Sequence, residues 1–424
     1  MKLKIILLSM LLLLLVSPAL FAGCAKQEAS LPQEVKGEIV IGLLDDLSGP
    51  IAGQGVPYTN GSTDAIRYIN EEKGGILGHP LRGILVDHKM DGTMMLSGWE
   101  RLKNEGVPVV ICVTAVAAPI LDAAAQDDHI PIVAGGGTYD QLYPMESSYF
   151  FANMSEFSGI IESMCKLIEK DWAAKGETGV PKIGIDLISI GTAPKIFGKA
   201  TRMYVEEKRG WDSVTTLTSL RPVDVTTQVL QMKEAAVDYV YLSNVESVIT
   251  IWLKELDRQG FYPQVYGSSA LGTEEVWRAV GELAIGSIAQ QPFVQWTDTD
   301  LPLVRLIRDL NAKWHPDVDW RPGYYCRGFT DLLVVSEALT RAVESAGYEN
   351  LNGDTMKTAM ETINDFDPMG IGTGFTWTPD DHRGIQGTRW YEWTEDGILK
   401  SVTDWDMYVP LTQEQKTQAY WITD

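Results

Sequence analysis

Side chains able to do chemistry are plentiful in this chain, but none stands in a spacing typical of catalysis. The sequence contains no strand-turn-helix serine elbow, zinc-binding helix motif, phosphate-loop lysine motif or dinucleotide-binding glycine fingerprint. The acidic pairs Asp45-Asp46 and Asp127-Asp128 are adjacent, so their side chains diverge, and we expect surface charges or caps there. We therefore predict no catalytic residues, no metal, no cofactor and no enzymatic activity.

The cysteines and histidines also lack the spacing of a metal site or a disulfide framework. Three cysteines follow Cys24, and because their number is odd at least one stays unpaired; we expect buried, apolar roles for Cys112, Cys165 and Cys326. We expect the five histidines to lie in surface turns or at strand ends: His79, His88, His129, His315 and His382.

Three loops that lead into a helix or a turn are candidates for binding an anionic group. They span Ser48–Gln54, Thr114–Ala118 and Gly135–Thr138. Backbone N–H groups at a helix N-terminus are ready donors, and the helix dipole there favours an anion. The three glycines that begin the third loop would let its backbone approach a ligand closely, although a tight turn is the alternative explanation for them.

Further polar side chains follow later strands of the same pattern. Glu246 comes after a buried strand, and Ser268 and Ser269 follow the next strand at the same sheet edge. A glutamate near a helix start is also favoured by the dipole alone, so both explanations of Glu246 stay open. The remaining candidates at the rim of a site are Gln54, Tyr58 and Tyr325.

Short apolar strands alternate with helices from residue 38 to about residue 292, and they are the elements that must position these loops. This pattern predicts parallel sheets covered on both faces. The alternation runs once before and once after about residue 155, which indicates two doubly wound α/β lobes. Open α/β sheets bind ligands at the carboxyl ends of their strands, so we expect a cleft between the lobes.

The last third of the chain changes in character. Helices dominate from about residue 300, and in one of them Leu332, Val335, Leu339 and Ala342 form a single buried stripe. The tail then turns to tryptophan-rich strands with a hairpin-like turn at Asp396-Gly397.

The N-terminus has the pattern of a secretory signal peptide, which we assign to residues 1–23. Two lysines precede the apolar run Ile5–Ala22, and small residues follow. The sequence Leu20-Phe21-Ala22-Gly23-Cys24 resembles the lipobox of bacterial lipoproteins, in which the cysteine is lipidated. An uncleaved membrane anchor is the alternative, because a run of about 18 residues is the lower limit for spanning. Residues 24–37 are mostly polar and are predicted to be a flexible tether.

The net charge of the chain limits the kinds of partner that we expect. The sequence has 424 residues with 35 basic and 57 acidic side chains, a formal net charge of −22. The phosphate groups of nucleic acids bind proteins through clustered cationic side chains, which an acidic chain lacks in number, so we predict no nucleic-acid partner. An acidic chain is also repelled by anionic lipids, so contact with a membrane would depend on the lipid at Cys24.

The segment Ile69–Leu81, with the sequence INEEKGGILGHPL, carries a resemblance to a known family. It resembles the helix end and turn of the branched-chain amino acid (Leu/Ile/Val-binding-protein-like) substrate-binding proteins of ABC transporters. In physical terms Gly74 and Gly75 end the helix by accepting a left-handed backbone, and Gly78 turns the chain into a strand. Other segments follow in the family's order over residues 38–410: Ile41–Pro50, Gly106–Thr114, Ile132–Thr138, Lys182–Ile185 with Phe197-Gly198, and Gly323–Ala342.

The resemblance implies the type I periplasmic binding fold, an α/β architecture of two doubly wound parallel-sheet lobes joined by three hinge crossovers. We expect the crossovers near residues 155, 292 and 380. The first lobe would comprise residues 38–155 and 293–380, and the second lobe residues 156–292 and 381–424.

The resemblance also implies a function: capture of a small solute, such as an amino acid or a related carboxylate or amide, and its delivery to ABC permease subunits. It aligns Thr138 with a ligand-binding hydroxyl, Phe197 with a common tyrosine, and Glu246 near the acid that binds the ligand's ammonium. The family often has serines where this chain has Thr114 and Ala115. The full predicted ligand-binding set is Ser48, Gln54, Thr114, Ala115, Gly137, Thr138, Phe197, Glu246, Ser269 and Tyr325.

Two alternatives remain from the sequence. A lipoprotein of the same fold could sense a ligand and signal to a membrane partner, or an extracytoplasmic α/β enzyme could occupy the same scaffold. In every case we expect a monomer outside the cytoplasm, in the periplasm or at the cell surface.

Overall fold

The computed structural model describes residues 37–135, 148–155, 157–189, 193–385 and 387–407. The predicted signal peptide, the predicted lipidation site Cys24 and the predicted tether up to residue 36 lie outside the described residues. So do Gly137 and Thr138 of the third loop, and nothing is described of the side chain of Phe197. The chain from Glu38 onward forms one compact unit.

The first sheet has five parallel strands in the order β2-β1-β3-β4-β5. Residues of β1, β3, β4 and β5 are almost all buried, as expected for a parallel sheet covered on both faces, while the edge strand β2 is partly exposed. The strands are β1 (Ile39–Asp45), β2 (Leu81–Asp87), β3 (Val110–Cys112), β4 (Ile132–Ala134) and β5 (Phe150–Ala152).

The second sheet has eight strands, with the main order β14-β13-β10-β9-β8-β6-β7. Its first five strands in the chain are parallel, and the tail adds antiparallel strands at one edge. The strands are β6 (Lys182–Ile188), β7 (Asp212–Thr218), β8 (Tyr239–Ser243), β9 (Gln264–Gly267), β10 (Ile288–Gln291), β13 (Gly387–Trp393), β14 (Leu399–Ser401) and β15 (Asp406–Met407). The predicted Asp396-Gly397 turn joins β13 to β14.

A small antiparallel pair, β11 (Thr376–Thr378) and β12 (Asp381–Gly384), lies against the end of β5. The indole of Trp377 donates to the carbonyl oxygen of Ala152 at 2.9 Å. The Nδ1 atom of His382 lies 2.9 Å from the carbonyl oxygen of Phe150. The chain therefore returns to the second sheet after Gly384, a few residues beyond the crossover expected near residue 380.

Helices cover both faces of both sheets. They are α1 (Ala52–Lys73), α2 (Gly92–Asn104), α3 (Ala118–Asp128), α4 (Phe157–Ala174), α5 (Ala193–Thr201), α6 (Thr226–Glu234), α7 (Glu246–Arg258), α8 (Glu274–Val280), α9 (Pro302–Trp314), α10 (Gly323–Ala346) and α11 (Gly353–Met360). One face of the first sheet packs on α1, α9, α10 and α11, and the other on α2 and α3. The second sheet packs on α6, α7 and α8 on one side and on α4 and α5 on the other. We call each sheet together with the helices packed on it a layer. The first layer contains the five-stranded sheet, and the second layer contains the eight-stranded sheet.

This architecture confirms the predicted α/β class with parallel sheets. The predicted helix end is also confirmed, because Gly74 caps α1 in the left-handed conformation, with a φ of 75°. The buried stripe of α10 holds Leu332, Val335, Leu339 and Ala342, all buried. Within the described ranges, no helix is both long and apolar enough to cross a bilayer.

The sequence placed two groups of polar residues wrongly. Asp45 and Asp46 are completely buried rather than on the surface. Asp46 accepts a hydrogen bond inside the loop that follows β1, whereas Asp45 accepts from Val113 after β3 and from Thr59 on α1. His79 and His382 are buried rather than in surface turns: the ring of His79 stacks 4.0 Å from that of Tyr348, and the ring of His382 stacks 3.8 Å from that of Phe151. His88 lies directly after β2, at a strand end as expected, and is also buried. The expectation for the three cysteines is confirmed, since Cys112, Cys165 and Cys326 are all buried thiols.

Candidate functional site

A hydrogen bond between two predicted site residues links the two layers. Gln54 lies in the first turn of α1, and Glu246 is the first residue of α7, directly after the buried strand β8 and its short loop. The Gln54 side-chain amide donates to Glu246 Oε1 at 2.7 Å. These residues therefore meet at the carboxyl ends of the strands, where open α/β sheets bind their ligands.

The surroundings of Glu246 favour the protonated form of its carboxyl group. Its side chain is 3% exposed, and burial raises the pKa of its carboxyl to about 7. The hydrogen bond from Gln54 works in the opposite direction, while the nearby carboxylate of Glu275 adds to the rise. An acid with this pKa becomes fully charged once a cation or donor compensates its burial.

A second hydrogen bond joins the layers at Ser269. Its hydroxyl lies 2.9 Å from the hydroxyl of Tyr324, in the first turn of α10. Tyr325, the residue selected from the sequence, points instead into the first layer, where its hydroxyl donates to Asp64 at 2.5 Å. Neighbouring residues of a helix point about 100° apart, so only one of the two tyrosines can face the second layer.

The loop after β1 is held in shape by two carboxylates, that of the buried Asp46 and that of the partly exposed Asp87. Asp46 accepts from the backbone N–H of Ile51 at 2.9 Å, and Asp87 accepts from the backbone N–H of Leu47 at 2.9 Å. The hydroxyl of Ser48 donates to Asp87 at 2.7 Å. Ser48 is thus a fixed part of the loop that leads into α1 and Gln54.

The second predicted loop begins after β3. Thr114 is buried there, and Ala115 opens a short 3₁₀ turn that leads directly into α3. These residues have the expected position before a helix. The third loop is described only to Gly135, and Gly137 and Thr138 lie beyond it.

A buried ionic cluster, missed from the sequence, lies beneath these loops. Arg327 and Asp331 are one turn apart on α10, each 2% exposed, with Arg327 Nε 3.4 Å from Asp331 Oδ2. Asn153 accepts from Arg327 Nη2 at 2.9 Å and donates to Asp331 at 2.7 Å. Tyr58 also donates to Asp331, at 2.9 Å. The signal in the sequence was an i,i+4 charged pair, Arg327 and Asp331, in the half of the helix where every other side chain is apolar or uncharged.

The cluster contains more carboxyl groups than cations. Burial raises the pKa of Asp331 to about 7 and that of Asp45 to about 6, although Arg327 lowers both. Asp45 also accepts from Thr59 Oγ1 at 2.7 Å and from the backbone N–H of Val113 at 2.8 Å. These contacts connect the ends of β1 and β3 to α1 and so fix the loops of the first layer.

Gly135 lies directly against this cluster. A Cβ atom at this position would be only 2.5 Å from Arg327 Nη2 and would also clash with the carbonyl oxygen of Val113. The glycine is therefore required by the close approach of the third loop to Arg327.

The second layer has a corresponding polar support. Asp186 on β6 accepts from Thr216 and Thr218, both at 2.8 Å, and from Asn244 Nδ2 at 2.7 Å. Burial raises the pKa of Asp186 to about 6. Because Asn244 stands two residues before Glu246, this network orients the loop that presents Glu246. In the described part of the chain, no group of three or more His, Cys, Asp or Glu side chains could hold a metal ion.

Comparison of the sequence with models of protein families identifies the family of this chain. The model of the family described as periplasmic binding protein matches residues 38–398, almost the whole of the compact unit. The chain belongs to the periplasmic binding protein family.

Relatives within the family share a modest part of the sequence. The leucine-specific-binding protein of Salmonella typhimurium is 22% identical over 261 residues, which is 60% of this chain and 67% of that protein. The Leu/Ile/Val-binding protein of Escherichia coli K12 is 22% identical over 283 residues, 65% of this chain and 72% of that protein.

Solved structures of periplasmic binding proteins show the same fold. A branched-chain amino acid ABC transporter protein from Thermus thermophilus with bound valine superposes with a TM-score of 0.76 at 21% identity, covering 88% of this chain and 97% of that one. A fatty acid ABC transporter substrate-binding protein from Thermomonospora curvata gives 0.73 at 18% identity, with 91% and 97% covered. The type I periplasmic binding fold predicted from the sequence is therefore confirmed.

Proposed function

We propose that this periplasmic binding protein captures a small amino acid, or a related carboxylate or amide, between its two layers and delivers it to an ABC permease. The observation that carries this proposal is the contact between Gln54 and Glu246. It brings two residues, one from each layer, to the strand ends, so a ligand bound there would touch both layers at once. Such a ligand would favour closure of the two layers around it.

The proposed ligand groups follow from the chemistry of each side. In the first layer the backbone of the loops around Ser48, Thr114, Ala115, Gly137 and Thr138 would donate to a carboxylate or amide oxygen. In the second layer Glu246 would accept from an ammonium, which would replace the amide of Gln54. Ser269 stays in the proposed ligand-binding set, and its partner there is Tyr324 in place of Tyr325. Phe197 would pack on the apolar part of the ligand.

The division into lobes remains part of this proposal. The first lobe would span residues 38–155 and 293–384, and the second residues 156–292 and the chain from β13 onward, so the last crossover follows Gly384 rather than residue 380. We also propose a monomeric, non-catalytic protein outside the cytoplasm, held at the membrane by a lipid on Cys24. The names of the relatives, which bind leucine, isoleucine and valine, support an amino acid as the first ligand to try.

A thermal-shift screen would test the binding function. The screen would include amino acids, aliphatic and aromatic acids, their amides and polyamines. A ligand present at about 100 times its dissociation constant adds about 2.7 kcal/mol to the free energy of unfolding, and the melting temperature should rise accordingly. If no small solute raises it while one of them is chemically converted, the binding proposal fails in favour of an enzyme.

Glu246→Gln is the first variant to measure. We expect it to weaken ligands that carry an ammonium group by about tenfold or more, because one charge-assisted hydrogen bond is lost. Ligands without an ammonium should bind as before, by isothermal titration calorimetry. Glu282→Gln, an exposed glutamate of the second layer, is the matched control and should change neither group of ligands. Equal affinities for wild type and Glu246→Gln would remove this role.

A further inference from the structure

A large cavity lies beside the Gln54–Glu246 contact and is bounded by both layers. Its volume is about 880 Å³. One wall is formed by α8 and the tip of the β13–β14 hairpin, and the other by residues 319–324 before and at the start of α10. Residues 293–297, which lead from the second layer to the first, complete it. We call this space the crossover chamber. It is much larger than one free amino acid would fill, and its size is within the range of sites for larger organic ligands.

The chamber has an aromatic surface, of which Trp320 is the most open part. Trp320 is 36% exposed. Trp296 is buried, and the guanidinium of Arg308 lies 5.1 Å from its ring centroid. Trp393 is also buried and stacks on Trp277 at 5.2 Å. The ring of Trp320 is therefore the aromatic face best placed to receive an apolar group of a ligand.

Both walls of the chamber carry acidic and basic side chains. Glu274, Glu275 and Arg278 belong to α8 in the second layer, and Arg308, Asp319 and Arg321 belong to the first layer. Glu274 is paired with Arg278 at 2.9 Å. Glu275 has no ion pair among the described residues, and its carboxylate reaches α1, where a Cβ on Gly53 would clash with it.

The two arginines keep donors for an anion. Arg308 donates one N–H to the carbonyl oxygen of Trp296 at 3.1 Å, and Arg321 donates one to Asn311 Oδ1 at 2.8 Å. Within the described residues neither forms a salt bridge with a carboxylate. A guanidinium has five N–H donors, so each retains several.

We propose that the crossover chamber binds a short zwitterionic peptide. Its ammonium lies at Glu275, its carboxylate lies between Arg308 and Arg321, and an apolar side chain packs on Trp320. The volume of about 880 Å³ exceeds what a single amino acid fills and accommodates a dipeptide or tripeptide. This site adjoins the amino acid site of the proposed function, because Tyr324 lines the chamber and also contacts Ser269. The residues proposed to contact the peptide are different ones, so the proposal does not depend on the amino acid site.

Capped dipeptides test the charge pattern without altering the protein. The probe is the dipeptide Leu-Phe, measured by isothermal titration calorimetry against N-acetyl-Leu-Phe, which lacks the ammonium, and Leu-Phe amide, which lacks the carboxylate. We expect Leu-Phe to bind, and each cap to weaken binding by about tenfold or more. The proposal is overturned if Leu-Phe does not bind, or if both capped forms bind as well as Leu-Phe.

Two variants locate the peptide in the chamber. Trp320→Ala should weaken Leu-Phe by about tenfold, because the apolar contact is lost, without affecting the binding of free leucine. Glu275→Gln should weaken Leu-Phe much more than N-acetyl-Leu-Phe. Tyr262→Ala, which removes a 75% exposed ring elsewhere in the second layer, is the control and should change nothing. Melting curves of each variant establish that it is folded.

The outcomes separate this site from the amino acid site. If free amino acids bind and Leu-Phe does not, the peptide site fails and the proposed function stands. If Leu-Phe binds and no free amino acid does, the peptide site stands and the amino acid site of the proposed function fails. If Trp320→Ala weakens leucine and Leu-Phe equally, both occupy one site and the separate chamber is rejected.

Discussion

Arg327 shows how a single residue can support a binding site that it does not touch. Its guanidinium is 2% exposed and lies near Asp331, Asn153 and the ring of Tyr58, whose centroid is 5.0 Å away. Through these partners and Gly135 it holds the ends of β4, β5 and α1 together. Removing one partner of a buried ion pair costs more than the pair contributes, because the other charge stays buried and uncompensated.

We predict that Arg327→Met destabilises the protein by about 3–5 kcal/mol, since Asp331 would lose its cation. Urea unfolding followed by circular dichroism measures this change. The control is Arg67→Met, which breaks an exposed i,i+4 pair with Glu71 and should cost no more than about 1 kcal/mol. A similar loss of stability for both variants would mean that the buried cluster contributes no more to the free energy of unfolding than an exposed ion pair does.

At the scale of elements, the close packing of α1 on α10 positions the site. Gln54 begins one helix and Tyr324 begins the other, so the two contacts between the layers depend on this packing. The helices approach through glycines: a Cβ on Gly61 would clash with the carbonyl oxygen of Tyr325, and one on Gly328 with that of Tyr58. Such backbone contacts cannot yield by a side-chain rotation.

Gly61→Ala should therefore destabilise the protein by about 3 kcal/mol through overpacking, although alanine favours a helix. Gly198→Ala on α5 is the matched control, because nothing lies within 4 Å of a Cβ there. It should be neutral or stabilise by up to about 1 kcal/mol. Thermal unfolding of the two variants would decide; a tolerated Gly61→Ala would show that the two helices can separate freely.

At the scale of the whole molecule, buried carboxyl groups combine with a large negative charge. Burial raises the pKa of Asp45 and Asp186 to about 6, and of Glu246, Glu274 and Asp331 to about 7. Each of these acids is harder to ionise in the folded protein than in the unfolded chain. The stability they contribute is present below about pH 4 and is lost as the pH rises through 6 to 7.

Other carboxyl groups act in the opposite direction at lower pH. Hydrogen bonds lower the pKa of Glu255 and Asp354, so the stability from these groups is lost only as the pH falls below about 4. The two effects together place the maximum of stability in mildly acidic solution.

We predict a higher melting temperature at pH 5.5 than at pH 8. The formal net charge of −22 contributes as well, because self-repulsion grows as acids ionise. Calorimetry at 0.5 M salt screens the surface part but leaves the buried groups. The double variant Asp331→Asn with Glu246→Gln should reduce the remaining dependence on pH, although Asp45, Asp186 and Glu274 still contribute to it. An unchanged slope in that variant would show that these two groups are not its source.

The sequence by itself determined the elements and the family. Short apolar strands alternate with helices as predicted, for example at Leu81–Asp87 and Gln264–Gly267, and Gly74 ends α1 as expected. These features depend on local apolar patterns and on the left-handed backbone that glycine accepts, so neighbouring residues carry enough information. The order of elements then led to the family.

Only the tertiary structure decided which residues meet. Gln54 and Glu246 are 192 positions apart, and their contact depends on how two whole layers pack. The same packing buried Asp45 next to Arg327 and turned Tyr324, rather than Tyr325, toward Ser269. Residue types along the chain give no such information, because the burial and partner of a polar group depend on surfaces brought together from distant parts of the sequence.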